Sequence, residues 1–213
     1  MKLLDLFMLQ RLNLLLFLNI PLIFFAQKPF VGSLEYNIAN VDFISKDTTH
    51  GKLYIYALDS LVRINYLLED GKRQESIHHL EKNKFISLLE IDSLFFAVQI
   101  KDTSALNRNY TFHKNKTRQT ICGLKCREAN VEFPEGNMLI FYTKAIDSKY
   151  FVGLNNAPGL PVKGQMPTET GLLAFELQQI DLRKPPIQLF IPDKKYKVLP
   201  LDDFLNWAAD QHN

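Results

Sequence analysis

The fold class of this chain is decided by residues 53–71, which read LYIYALDSLVRINYLLEDG. Apolar side chains recur at every second position in 53–58 and again in 61–68, which is the period of a β-strand. Asp70-Gly71 follows at once, and this dipeptide is a strong short-range signal for a hairpin turn. The stretch therefore predicts two antiparallel strands that lead into a third.

The same period of two extends along most of the 213-residue chain. Because the intervening turns are short, neighbouring strands are expected to be antiparallel. We predict a mainly β fold, a single curved antiparallel sheet or half-barrel of about ten strands, with a short C-terminal helix. The predicted strand segments are 30–38, 53–58, 61–68, 74–80, 85–91, 94–100, 110–113, 119–122, 126–133, 138–143, 172–180, 187–191 and 196–199.

Two segments depart from this period. Residues 153–171 are rich in glycine and proline and predict a long ordered loop, a class that is often functional. Asp202 is a suitable N-cap for a short helix that contains Phe204 and Trp207. We expect the loop and the helix to cover the concave side of the sheet.

The N-terminus has the pattern of a signal peptide, with Arg11 before an apolar run over 12–26. Cleavage after Ala26 divides the chain into a signal peptide, 1–26, and a single antiparallel β domain, 27–213. An uncleaved membrane anchor is the alternative reading, but the uninterrupted apolar run is shorter than the ~20 residues of a spanning helix.

We therefore expect export to the periplasm or the extracellular space, with no stable transmembrane segment after cleavage. No cysteine stands near the cut, which disfavours a lipid-anchored lipoprotein. Translation from either Met1 or Met8 is compatible with this interpretation. The formal net charge of +2 is close to neutral and no basic stripe is present, so a nucleic-acid partner is not expected.

Cys122 and Cys126 are the two cysteines of the chain. In an oxidising compartment such a pair favours a structural disulfide, while free thiols and a redox-active pair remain alternatives. His78 and His79 are adjacent on a predicted strand, so their side chains point to opposite faces and do not form a metal site together. The sequence contains no nucleophile, metal-binding or phosphate-loop motif, and we predict no catalytic residue, metal or cofactor.

Two stretches resemble a known group of proteins. Residues 120–129, TICGLKCREA, precede a strand that ends in Phe141-Tyr142-Thr143, and residues 157–162 read APGLPV. This order of motifs resembles that of the GLPGLI and DUF4412-like exported proteins of Bacteroidetes. The resemblance implies a curved antiparallel sheet over an apolar cavity, as in lipoprotein-carrier domains of the LolA and LolB kind, and implies no catalytic residue.

These observations lead to three hypotheses of function. The first is a non-catalytic module that binds an apolar or lipid-like ligand in the concavity of the sheet, with Pro158, Leu160 and Met166 at the rim. The second is a structural protein with a filled core that interacts with another envelope protein. The third is a hydrolase without a recognisable motif.

Overall fold

The computed structural model describes residues 29–101, 110–134, 136–168 and 170–211. It contains one open, uncurled sheet of twelve strands and one α-helix, so the prediction of a mainly β fold with a C-terminal helix is confirmed. The half-barrel does not form. The strands are β1 Val31–Asp42, β2 Thr48–Leu58, β3 Leu61–Leu68, β4 Arg73–His79, β5 Lys84–Ile91, β6 Leu94–Ile100, β7 Thr111–Ile121, β8 Leu124–Phe133, β9 Gly136–Thr143, β10 Leu160–Pro167, β11 Gly171–Asp181 and β12 Lys197–Pro200, and helix α1 is Leu201–Gln211.

The strand order in the sheet is β12-β6-β5-β4-β3-β2-β1-β11-β10-β9-β8-β7. Two meanders therefore meet where β1 pairs with β11, for example at Ile38 and Phe175. All neighbouring pairs are antiparallel except β12 and β6, which pair in parallel. The expectation of a wholly antiparallel sheet is thus wrong at this edge, because the chain reaches β12 by crossing the outside of the sheet.

Tight turns set the register of the hairpins. Asp92 and Ser93 join β5 to β6, and both have positive φ, 48° and 66°. Cys122 and Gly123 join β7 to β8 in the same way, with φ of 47° and 74°. Positive φ at both central residues matches the right-handed twist of the two flanking strands, which is why such turns close two-residue hairpins.

The two faces of the sheet bury different sets of side chains. What we call the inner face carries Leu34, Tyr36, Ile55 and Val62, which belong to the larger core cluster. The outer face carries a smaller cluster of Ile77, Leu88, Ala97 and Phe190. Alternation along each strand produces this division, since successive side chains point to opposite sides of a sheet.

Two separate segments cover the inner face. Residues 144–159, here called the cover segment, place Phe151 against Tyr36 and Phe175, with ring centroids 5.5 and 4.8 Å apart. Helix α1 packs further along the sheet, where the rings of Phe96 and Trp207 lie 4.3 Å apart. The strands between these two covers carry neither, so that part of the inner face is open.

The predicted loop over 153–171 is wrong for residues 160–167, which form β10. Proline is tolerated here because Pro161 adjoins a register shift and Pro167 is the last residue of the strand. At Gly164, an added Cβ would lie 2.8 Å from the carbonyl oxygen of Leu139, so the close approach of β9 requires glycine. Glycine and proline here mark a closely packed strand.

Three further expectations need correction. Residues 187–191 form a 3-10 helix, Ile187–Phe190, because Pro186 precedes it at φ −65° and supplies no donor for a strand ladder. The segments 110–113 and 119–122 join into β7, with a register shift between Lys114 and Arg118. Helix α1 begins at Leu201, which places Asp202 in its first turn rather than at its cap.

The predicted signal peptide, 1–26, and both candidate start residues lie outside the described residues. Among the residues that are described, no helix has the length and hydropathy needed to cross a membrane.

Candidate ligand-binding cleft

A cleft of about 500 Å³ opens on the inner face of the sheet, beside the cover segment. Ligand sites commonly have volumes of about 300–1,000 Å³. Its described lining residues come from seven neighbouring strands, β5 to β1 followed by β11 and β10, and from two loops. They are Asn40, Leu53, Ile55, Ile64, Tyr66, Gln74, Ser76, His78, Phe85, Phe151, Val152, Met166, Thr168, Thr170 and Leu173.

The cleft is elongated across the strands. No strand contributes more than three lining residues, whereas the lining runs from Phe85 on β5 to Met166 on β10. At roughly 4.8 Å between neighbouring strands, seven strands span on the order of 25–30 Å along the sheet. The shape suits an extended molecule better than a compact one.

The middle of the cleft is apolar. Leu53 and Ile55 from β2 and Ile64 from β3 form its floor, and Phe151 of the cover segment forms one wall. Leu173 and Met166 continue this surface toward β10. Removing apolar surface of this kind from water is favourable by about 25 cal/mol per Å², so an apolar ligand would gain affinity here.

Strand β4 contributes a row of neutral polar side chains toward the β5 end of the cleft. Gln74, Ser76 and His78 alternate along the strand and face the cleft together. Gln74 is exposed, whereas Ser76 and His78 are only 7% and 8% exposed. The hydroxyl oxygen of Ser76 and Nε2 of His78 lie 2.9 Å apart, at hydrogen-bond distance. We call these three residues the polar strip.

Two titratable groups among the described lining residues, His78 and Tyr66, are held neutral by their surroundings. Burial lowers the pKa of His78 from 6.5 to about 4, so its ring carries no charge at neutral pH. Burial, assisted by the nearby carboxylate of Asp70, raises the pKa of Tyr66. No Lys, Arg, Asp or Glu is among the described residues that line the cleft. Glu169, between Thr168 and Thr170, lies outside the described residues.

Three other clefts are lined in part by charged side chains. One, of about 460 Å³, is lined by Arg73, Glu75 and Glu90. A second, of about 490 Å³, contains the ion pair between Lys163 and Glu176, and a third, of about 350 Å³, includes charged side chains as well. The inner-face cleft therefore differs from these three because the described residues that line it are uncharged.

The Ser76–His78 pair has the composition of a nucleophile and its base, but not the required environment. A general base works best with a pKa near the operating pH, and the pKa of His78 is about 4. Burial alone accounts for that lowering, with no contribution from a carboxylate. In a catalytic triad an acid orients the histidine and stabilises its charged form. The geometry is suited to hydrogen bonding with a ligand.

Of the three predicted rim residues, one lines the cleft and two do not. Met166 lines the cleft, at the end formed by β10. Leu160 is fully buried in the core, and Pro158 is half-buried beside it in the cover segment. Sequence reasoning missed the polar strip on β4. The available signal was the alternation of Gln74, Ser76 and His78, which placed them on one face of a predicted strand.

Cys122 and Cys126 are separate thiols in this structure. The sulfur of Cys122 donates to the carbonyl of Leu177 at 3.1 Å, and that of Cys126 to the carbonyl of Leu124 at 3.3 Å. Burial raises the pKa of both thiols. Neither cysteine lines the cleft, so the predicted disulfide, which stays a prediction, would be a structural feature.

Within the described ranges, no three His, Cys, Asp or Glu side chains come close enough to hold a metal ion. His78 faces the cleft, and its neighbour His79 lies on the other face of β4.

Comparison with solved structures relates the chain to a larger protein. The fold is similar to that described as "Structure of PNGF-II in C2 space group", with a TM-score of 0.50 and 12% sequence identity over 83% of this chain and 32% of that one. The same protein in a P21 space group gives a TM-score of 0.48, 12% identity, and coverage of 83% and 33%. This chain thus spans about a third of the solved protein.

No protein-family model matches the sequence, and no curated protein matches it either. At 12% identity the likeness to PNGF-II concerns the fold alone. The resemblance to the GLPGLI and DUF4412-like proteins stays a prediction made from the motifs.

Proposed function

We propose that this protein is a non-catalytic binding module that holds an apolar or lipid-like ligand in the inner-face cleft. The observation that carries the proposal is the cleft itself, about 500 Å³ with an apolar floor and no charged side chain among its described lining residues. The surrounding core does not fill it, because the cover segment and helix α1 pack on different parts of the face and leave the strands between them uncovered.

The low pKa of His78 supports binding over hydrolysis. A buried imidazole with a pKa of about 4 is a weak base, whereas it can hydrogen-bond a ligand at any pH above that value. The hydrolase hypothesis therefore receives no support from the histidine that lines the cleft.

A second candidate function has one observation in its favour. Beneath the cover segment the core is solid, with Tyr150, Phe151 and Leu154 all buried against the sheet. That half of the inner face resembles the filled core of a structural protein that interacts with another envelope protein. The open half, beside it, favours the binding module.

Titration with the neutral fluorescent probe N-phenyl-1-naphthylamine tests the proposal. We expect saturable binding with a stoichiometry of one. Ile64→Trp should weaken it by about tenfold or more, because the larger side chain occupies the middle of the cleft. Absence of saturable binding, or unchanged affinity in a folded Ile64→Trp protein, would favour the structural candidate.

The matched control is Leu67→Trp. Leu67 lies on the same strand, three residues away, but is exposed on the outer face. This variant adds the same bulk without entering the inner-face cleft, so probe affinity should stay at the wild-type value. Native mass spectrometry of protein from its own host, followed by lipid extraction, would then identify the ligand that it carries.

We also propose that the chain is exported after cleavage behind Ala26, and that its ligand or protein partner is met outside the cytoplasm. N-terminal sequencing of the secreted protein tests this directly, with Gln27 as the expected first residue. A mature chain that begins at Met1 or Met8 would refute it.

A further inference from the structure

We propose that the cleft selects an uncharged amphiphile, whose hydroxyl or carbonyl group hydrogen-bonds to the polar strip of Gln74, Ser76 and His78 while its hydrocarbon chain lies across β3 and β2. This inference rests on the proposed binding function and adds the chemical class of the ligand. Fatty alcohols, sterols and neutral esters belong to this class, whereas ionised fatty acids and cationic amphiphiles do not.

The first support is the position of polar and apolar groups along the cleft. Gln74, Ser76 and His78 on β4 lie toward one end, Leu53, Ile55 and Ile64 on the next two strands are apolar, and neutral polar side chains return at the far end with Asn40, Thr168 and Thr170. A ligand with hydrogen-bonding groups along its whole length would leave those in the middle buried against hydrocarbon without partners, which is costly. A polar head group on the strip, with a hydrocarbon chain over the apolar middle, matches the arrangement.

The second support is the kind of polar group in the strip. Ser76 and His78 use one donor and one acceptor in their mutual hydrogen bond, and the pair can still accept or donate through its remaining sites. Gln74 contributes an amide that does both. The strip therefore serves a ligand hydroxyl, which donates and accepts, and equally a carbonyl oxygen, which accepts only.

The third support is the absence of a counter-charge in the described lining. A carboxylate or an ammonium group placed beside Ser76 and His78 would lose its hydration without gaining an ionic partner. Burying an unpaired charge is far more costly than burying a hydrogen-bonded neutral group. The neutral state of the His78 ring means that the histidine itself supplies no positive charge for an anion.

Displacement of N-phenyl-1-naphthylamine by three amphiphiles with the same chain tests the inference: 1-decanol, decanoate and decyltrimethylammonium, below their aggregation concentrations at about pH 7. We expect decanol to displace the probe at a concentration about tenfold or more below that of either ion. If decanoate or the ammonium compound binds as tightly as decanol, the inference is overturned while the proposed function stands. If the probe does not bind at all, both the proposed binding function and the inferred ligand class are refuted.

Two variants separate recognition by the strip from general hydrophobicity. Ser76→Ala removes one hydrogen-bonding group and should weaken decanol by about fivefold, the usual value for one neutral hydrogen bond, while leaving decanoate unchanged. An unchanged decanol affinity would overturn the inference. Because alanine is smaller than serine and adds no charge, the variant should still fold. A circular dichroism spectrum verifies that it does.

Gln74→Arg is the converse variant. The exposed position of Gln74 lets it accept a cation without burying one, and the new guanidinium should raise decanoate affinity several-fold. Leu67→Arg adds the same charge on the outer face and should leave decanoate affinity unchanged. Equal effects of the two arginines would show that general electrostatic attraction, and not the polar strip, sets the preference, and would overturn the inference.

Discussion

Tyr150 and Tyr142 offer a matched test of how the cover segment is held against the sheet. Both are buried, with exposures of 1% and 0%. The hydroxyl of Tyr150 accepts a hydrogen bond from the backbone N–H of Phe30 at 2.9 Å and donates one to the carbonyl of Asp59 at 3.1 Å. The hydroxyl of Tyr142 has no hydrogen-bond partner among the described residues.

Tyr150→Phe removes both hydrogen bonds but keeps the ring, which packs edge-on against Phe30 at 5.7 Å. Leaving the buried N–H of Phe30 unpaired costs about 1–3 kcal/mol, and losing the bond to Asp59 adds about 0.5–1 kcal/mol. We therefore expect the free energy of unfolding to fall by about 1.5–4 kcal/mol. Tyr142→Phe removes a hydroxyl that is buried without a partner, so stability should stay constant or rise by up to about 1 kcal/mol.

Urea denaturation followed by far-UV circular dichroism measures both changes. With a slope of roughly 2–3 kcal/mol per molar urea, the midpoint of Tyr150→Phe should lie about 1 M below the wild type. A loss of stability in Tyr142→Phe equal to or greater than that in Tyr150→Phe would refute the reasoning. In that case buried hydrogen bonds to Tyr150 would not be what anchors the cover segment.

Two further predictions follow from burial. Because the pKa of His78 is about 4 when folded and about 6.5 when unfolded, its contribution to stability is complete above pH 6.5 and declines by roughly 3 kcal/mol as the pH falls toward 4. In urea titrations over this pH range, the variant His78→Phe should lose this pH dependence. The control variant His50→Gln, at an exposed position, should keep it. In reduced, folded protein, iodoacetamide should label the exposed Cys122 slowly and leave Cys126, 2% exposed, unmodified until the chain unfolds. Intact mass shows the outcome: two labels on the folded protein would contradict the burial of Cys126, and no label on protein that is unfolded but not reduced would establish the predicted disulfide.

The local features of the sheet could be predicted from sequence because they depend on neighbouring residues. Strands 61–68 and 94–100 were predicted with the bounds that the structure has, since the period of two and the turn residues lie within each segment. The opposite orientations of His78 and His79 follow from the same alternation. Proline and glycine misled the prediction at β10, because their role there depends on the close approach of another strand.

The cleft could not be predicted in this way. Its walls join β4 to β10 and to the cover segment, and these pairings depend on contacts between residues that are far apart in sequence, such as Ile38 with Phe175. Alternation places Ser76 and His78 on one face of β4, but it does not say what covers that face. That is decided by where the cover segment and helix α1 pack on the sheet.

By itself, then, the sequence determined the β class, most strand positions and the side on which each strand residue points, through interactions that act over a few residues. Tertiary structure alone decided that Phe190 fills the outer face, that β12 closes the edge of β6 in parallel, and that Trp207 packs on Phe96. The free energy of burying those apolar side chains draws the C-terminal stretch around the edge of the sheet, and the space left between it and the cover segment is the cleft.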